Sequence, residues 1–247
     1  MSVVSVINQK GGVAKTTTSL NVASGWAHMG KKVLLIDLDP QSSATKAIFG
    51  DQDFEKTIYD VVMGGCQVEE TIQHSDRFDI DVIPAEIGLS GIDVQLAAHF
   101  GRETILRRKL EPIVDRYDSI LFDCSPSLGL MTVNALMASK DIIIPICPEY
   151  FSLKGIELIL DTLKNIRMGL GYKVGVRGVV ITRFKDRRIA REVIRQVQET
   201  YGLKVYGNYI PDNIAVEEAH HRHTPVYKYA PHCGAAKAYN LLAKELW

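Results

Sequence analysis

The sequence predicts an α/β fold, a single domain built on a mostly parallel twisted sheet with helices on both faces. Three observations lead there. Short β-branched runs alternate with stretches of helical periodicity along all 247 residues. The first apolar run feeds a glycine-bearing turn that opens a helix, an arrangement that binds phosphate. Two later apolar runs end in acids, which the fold would deliver to the carboxyl edge of the sheet, where open α/β sheets bind ligands. No Pro/Gly/Ser-rich linker or low-complexity segment divides the chain, so residues 1–247 read as one domain long enough for a large core.

Strands are expected near 3–7, 33–37, 80–84, 118–123, 141–146, 176–182 and 204–210. Between them, residues 16–29, 89–98, 103–116, 153–168 and 189–201 carry apolar side chains at helical spacing. The closing residues 241–247 read as the end of a packing helix. The first strand, with Val3, Val4, Val6 and Ile7, leads into Lys10-Gly-Gly-Val-Ala-Lys-Thr-Thr17. Backbone N–H groups of Gly11, Gly12, Val13 and Ala14, with the helix start at Lys15, Thr16 and Thr17, would cradle an anion. Lys15 would reach the outer phosphates, and the Thr16 hydroxyl would sit on Mg²⁺.

The strict phosphate-loop pattern fails at both glycines, since Gln9 stands at the first position and Ala14 at the second. A glycine-like backbone at Ala14 would cost about 1–3 kcal/mol of local strain. Lys10 is unusual because it precedes the turn, where an ordinary phosphate loop needs no cation. The case rests on companions: residues 33–41 form an apolar run ending in Asp37 and Asp39, and residues 119–127 contain a second one ending in Asp123. Taken singly such acids also read as helix caps or turn residues; beside a phosphate loop they read as a metal and water-orienting set.

These residues, with 123–129, 148–155, Thr182-Arg-Phe184, Ile210-Pro-Asp-Asn213 and 234–239, carry a resemblance that runs nearly end to end. The chain resembles the ParA/Soj family of deviant-Walker P-loop ATPases, which also includes MinD and, more distantly, the nitrogenase iron protein. The resemblance implies ATP and Mg²⁺ as cofactors, slow hydrolysis and an ATP-sandwich homodimer. In its terms Lys10, Lys15, Asp39 and Asp123 are catalytic, with Asp39 positioning the attacking water and Lys10 reaching the partner's ATP. Thr16, Asp37 and Asp123 form the metal set. Glu149 touches ribose across the dimer, and Pro211 and Asn213 line the adenine. The resemblance also implies nonspecific DNA as scaffold and a ParB-like activator.

Charge is balanced overall, 29 basic against 29 acidic residues, but unevenly spread. From Arg177 to Arg195 seven basic residues stand against Asp186 and Glu192. Arg188, Arg191 and Arg195 fall on one helical stripe, with Lys185 and Arg187 in the loop before it. Such a stripe attracts phosphate backbones without reading sequence, or is a solvated helix face; the resemblance favours DNA. Two departures mark this region: family members often carry arginine where this chain has Asp212, and the stretch 217–223 is rewritten. His220, His221 and His223 lack neighbouring ligands at metal spacing.

Four cysteines show no paired metal spacing; Cys124 and Cys147 read as reduced thiols in or beside apolar strands, which argues against an iron–sulfur role. The N-terminal apolar run is too short for a signal peptide, and no segment reaches membrane-span length. A cytoplasmic protein with no membrane partner and no helix-turn-helix module ahead of its first strand is therefore expected. Three functional classes compete: a DNA-scaffolded partitioning or positioning ATPase, a membrane-bound positioning ATPase of the MinD kind, and a metabolic ATP-using enzyme. The second needs a C-terminal membrane helix and the third an acid–base pocket of its own; neither stands out.

Overall fold

The computed structural model describes residues 2–150 and 152–247. Its strands are β1 (Ser2–Val6), β2 (Val33–Asp37), β3 (Gln73–Ser75), β4 (Ile80–Ile83), β5 (Ser119–Asp123), β6 (Asp141–Ile146) and β7 (Gly175–Ile181). They form a seven-stranded sheet in the order β3-β4-β2-β5-β1-β6-β7, parallel except for edge strand β3. The α-helices are α1 (Lys15–His28), α2 (Ser43–Phe49), α3 (Ile58–Met63), α4 (Ile92–Gln95), α5 (Ile105–Leu110) and α6 (Leu130–Ala138). They continue with α7 (Ser152–Leu170), α8 (Arg188–Glu199), α9 (Ile214–His221), α10 (Val226–Tyr229) and α11 (Gly234–Leu246).

Successive strand residues point to opposite faces, so each strand feeds two cores. Leu34, Ile36, Ile120 and Phe122 pack with α3 to α8, whereas Val33, Leu35 and Leu121 pack with α1, α2 and α9 to α11. Two covered faces explain why the central strands are continuous apolar runs rather than alternating ones. On the second face α11 lies along α1: Trp26 Nε1 donates to Ala243 O at 2.9 Å, and the Trp26 and Trp247 rings meet edge to face at 5.6 Å. The C-terminal stretch is thus the packing helix expected of it.

Three expected elements need correction. Residues 204–210 are not a strand; they touch the sheet only through the bridge Val179↔Val205 and separate bonds such as Ile210 N to Ile181 O. A turn closed by Tyr209 N donating to Gly207 O breaks the ladder. The expected helix at 89–98 shortens to α4 after the 3₁₀ turn Ile87–Gly91. That at 103–116 breaks into a 3₁₀ turn, α5 and a second 3₁₀ turn, Pro112 being unable to donate the next helical bond. The unexpected strand is β3, whose three polar residues carry no apolar alternation, and helices α2, α3, α6, α9 and α10 are likewise unexpected.

Candidate nucleotide site

The phosphate loop joins β1 to α1 and is pinned on both sides. Asn8 Nδ2 donates to Pro145 O at 2.7 Å while its Oδ1 accepts from Lys10 N, and Thr182 Oγ1 donates to Val13 O at 3.0 Å. Gly12 (φ 72°) and Ala14 (φ 60°, ψ 38°) both take the left-handed conformation. Among the described residues, nothing crowds the space beside Gly11 and Gly12 and no side chain caps the first turn of α1. The result is a concave array of free donors at a helix N-terminus. Lys15 is 8% exposed and its Nζ donates to Lys10 O at 3.3 Å. Burial lowers its pKa, with the charges of Asp123 and Asp39 opposing that shift.

Asp37 and Asp123 are register partners on β2 and β5 and are fully buried. Asp123 accepts from Thr16 Oγ1 and from Ser19 Oγ, both at 2.7 Å. Asp37 accepts from the Thr45 amide and hydroxyl at 2.9 and 2.8 Å, and from Asp39 N at 3.0 Å. Burial pushes Asp37 up to about 6; burial and then the neighbouring Asp37 push Asp123 up to about 7. A hard cation beside Thr16 and Asp123 would relieve that penalty, so these oxygens fit Mg²⁺. The hydrogen bonds already on Asp37 instead fix the turn that carries Asp39.

Two residues of this acid cluster, Ser19 and Thr45, escape a reading of the sequence. Ser19 is legible in principle, three residues after Thr16 on the same face of α1. Thr45 lies eight residues from Asp37, and only the fold of the β2–α2 turn brings it back.

Pro211 and Asn213 border a cavity of about 210 Å³ together with Gly12, Ala14 and Thr17. Asn213 also caps α9 by accepting from Ala215 N. His220 lines the same cavity, and its buried Nε2 has no partner among the described residues. Lys10, part-exposed, pairs with Glu149 of the same subunit at 2.5 Å. Hydrogen bonds from Lys10 and then Cys147 hold the Glu149 carboxyl below the usual range. Phe151, in the run 148–155, lies outside the described residues.

The basic stripe is on α8 as expected, but acids accompany it. Arg191 makes a two-pronged pair with Asp186 at 2.7 and 2.6 Å, and Arg195 pairs with Glu192 at 2.8 Å and Glu199 at 3.4 Å. Lys185 is paired with Asp212 at 2.9 Å. Arg187 and Arg188 form no ion pair among the described residues.

A phosphate loop at a helix N-terminus, with paired acids at the ends of neighbouring parallel strands, defines a P-loop nucleotide-binding protein of the ParA/MinD type. A family model described as an AAA domain matches residues 1–175. Sporulation initiation inhibitor protein Soj of Bacillus subtilis is 38% identical over 246 residues, covering 99% of this chain and 97% of that one. Chromosome-partitioning ATPase Soj of Treponema pallidum is 37% identical over 241 residues, covering 97% and 94%. Among solved structures, cobyrinic acid a,c-diamide synthase of Mycobacterium smegmatis, with bound ATP analogue and magnesium, superposes with a TM-score of 0.86. It shares 29% identity and covers 99% of this chain and 93% of its own. The chain belongs to the Soj/ParA family of partitioning ATPases.

Proposed function

We propose that this protein is an ATP-dependent molecular switch that forms a nucleotide-sandwich homodimer, binds nonspecific DNA, and hydrolyses ATP to ADP and phosphate when stimulated by a ParB-like partner. Its task is to segregate or position a chromosome, a plasmid or a protein cargo, from the cytoplasm and on the nucleoid while ATP is bound. The observation that carries this reading is the double-lysine loop: Lys15 is buried at the start of α1 while Lys10, part-exposed, is held by Glu149 rather than by a group of the loop. A cation with no place at its own nucleotide is suited to a neighbouring subunit's.

In this reading the amides of residues 11–17 and Lys15 hold the triphosphate, and Thr16 and Asp123 hold Mg²⁺ with Asp37 behind them. Asp39 orients water, Pro211 and Asn213 flank the base, and Glu149 meets the partner's ribose. Mg²⁺ and the lysines supply the charge neutralisation on which phosphoryl transfer depends. Loss of the γ-phosphate removes contacts that favour the dimer, which makes hydrolysis the timer. Lys185, Arg187, Arg188, Arg191 and Arg195 form the DNA-facing surface.

The test pairs nucleotide binding with sedimentation. Lys15→Ala is expected to abolish ATP binding, whereas Lys10→Ala should bind ATP but lose ATP-dependent dimerisation. A Lys10→Ala protein that dimerises normally with ATP would remove the sandwich role. Binding of random-sequence duplex DNA, titrated with salt in ATP, ADP and no nucleotide, should require ATP and weaken steeply with salt.

A further inference from the structure

Six basic residues, Arg183, Lys185, Arg187, Arg188, Arg191 and Arg195, lie on or just before α8. Of their acidic partners, Asp186, Glu192 and Glu199 are exposed neighbours on the same loop or helix. Exposed local pairs are worth little and exchange readily for a phosphate oxygen. Asp212 differs. It arrives from the far side of the 204–210 segment, and each of its oxygens takes a cation: Oδ2 holds Lys185 Nζ at 2.9 Å, and Oδ1 lies 3.6 Å from Arg183 Nε.

The surrounding backbone builds this contact. Phe184 N donates to Ile210 O, and Phe184 and Pro211 form a bridge, so the two cations and the acid sit on strands of chain tied together. Arg183 takes φ 48°, a strained choice for a residue with a Cβ, and Arg183 and Asp212 both line the cavity bordered by Gly12 and Ala14. The acid is half-exposed at 35%, so it remains reachable by solvent ions rather than locked away.

We propose that Asp212 is a built-in brake on nucleic-acid binding, its carboxylate occupying Lys185 and Arg183, two cations that a DNA phosphate backbone would otherwise take. This rests on the DNA-binding reading above and deepens it. A duplex docking on α8 must either displace Asp212 from Lys185 or use only the remaining cations, and its own phosphates are repelled by the acid meanwhile. The brake therefore lowers both affinity and the number of counterions released.

The experiment measures binding of random-sequence duplex DNA by the full chain with ATP, ADP and no nucleotide, for wild type, Asp212→Asn, Lys185→Gln and the double variant. Asp212→Ser serves as a second carboxylate-free form should the asparagine fold poorly. Removing the carboxylate is expected to tighten binding by about tenfold and to steepen the slope of log K against log salt by about one for each further phosphate neutralised. The tightening should shrink when Lys185→Gln is added, leaving only the share released at Arg183. Wild type that binds DNA with the same affinity and salt slope as both carboxylate-free forms would overturn the brake and leave the DNA reading intact. A tightening that survives Lys185→Gln in full would also overturn it. No binding by any form in any nucleotide state would overturn the DNA reading, and the brake with it.

Discussion

Ala14 shows how a motif departure is resolved at a single residue. The sequence shows alanine where a strict phosphate loop has glycine, and the backbone there is left-handed all the same. That conformation costs an L-residue about 1–2 kcal/mol. Ala14→Gly removes that strain but frees the unfolded chain by about 0.4–1 kcal/mol. The expected net is a rise in Tm of no more than about 3 °C, with ATP affinity changed less than threefold; differential scanning calorimetry and titration calorimetry check both. A fall in Tm would mean that the alanine methyl contributes packing. At the same scale, the companions that make the loop readable, Asp37, Asp39 and Asp123, all lie at or just past strand ends, as the apolar runs imply. What could not be read was their hydrogen bonding: nothing in residues 33–41 indicates that Thr45 will satisfy Asp37.

Among elements, legibility followed pattern length. β1, β2, β5, β6 and β7 are long apolar runs and fell within a residue of expectation, as did α1 and the start of α8. β3 and the short helices α2 and α3 gave no periodic signal, and 204–210 carried a strand-like composition without forming a ladder. The α1–α11 contact is the element pair whose tightness no periodicity announces. A Cβ built on Gly25 would lie 2.7 Å from Ala243 Cβ, so the helices approach because α1 carries no side chain there. Gly25→Val is expected to force the pair apart and lower stability by about 1–3 kcal/mol, a drop in Tm of roughly 2–6 °C on thermal melting. An unchanged Tm would show that α11 shifts without cost.

For the whole molecule, the carboxyl edge of the sheet is where chemistry accumulates, and its charge links stability to pH. Asp37 and Asp123 are pushed up to about 6 and about 7, above the roughly 3.9 of an unfolded aspartate. Between about pH 4 and 7 the folded apo protein therefore holds protons that the unfolded chain has released, and this pair's contribution to stability falls as pH rises. Asp123→Asn removes most of that penalty. Its Tm relative to wild type, without metal or nucleotide, should be more favourable at pH 8 than at pH 5; an offset independent of pH would sink the linkage. The α/β class and mostly parallel sheet were implied by strand–helix alternation, and the meeting of Asp37 and Asp123 beside the phosphate loop by strand-end acids. The pairing of Asp212 with Lys185 was not, because the two meet only through the fold.

The Lys10–Glu149 pair bears on the proposed homodimer. Both side chains are substantially exposed, 37% and 60%, so separating them costs at most about 1 kcal/mol, less than tenfold in an equilibrium. It is too weak to act as a lock. Immobilising a free lysine, however, costs up to about 2 kcal/mol of rotamer entropy. The resting pair has already narrowed the choices of Lys10. In the proposed ATP dimer, association would become a handover, in which one ordered lysine changes its anionic host and Glu149 is released for another task in the same movement.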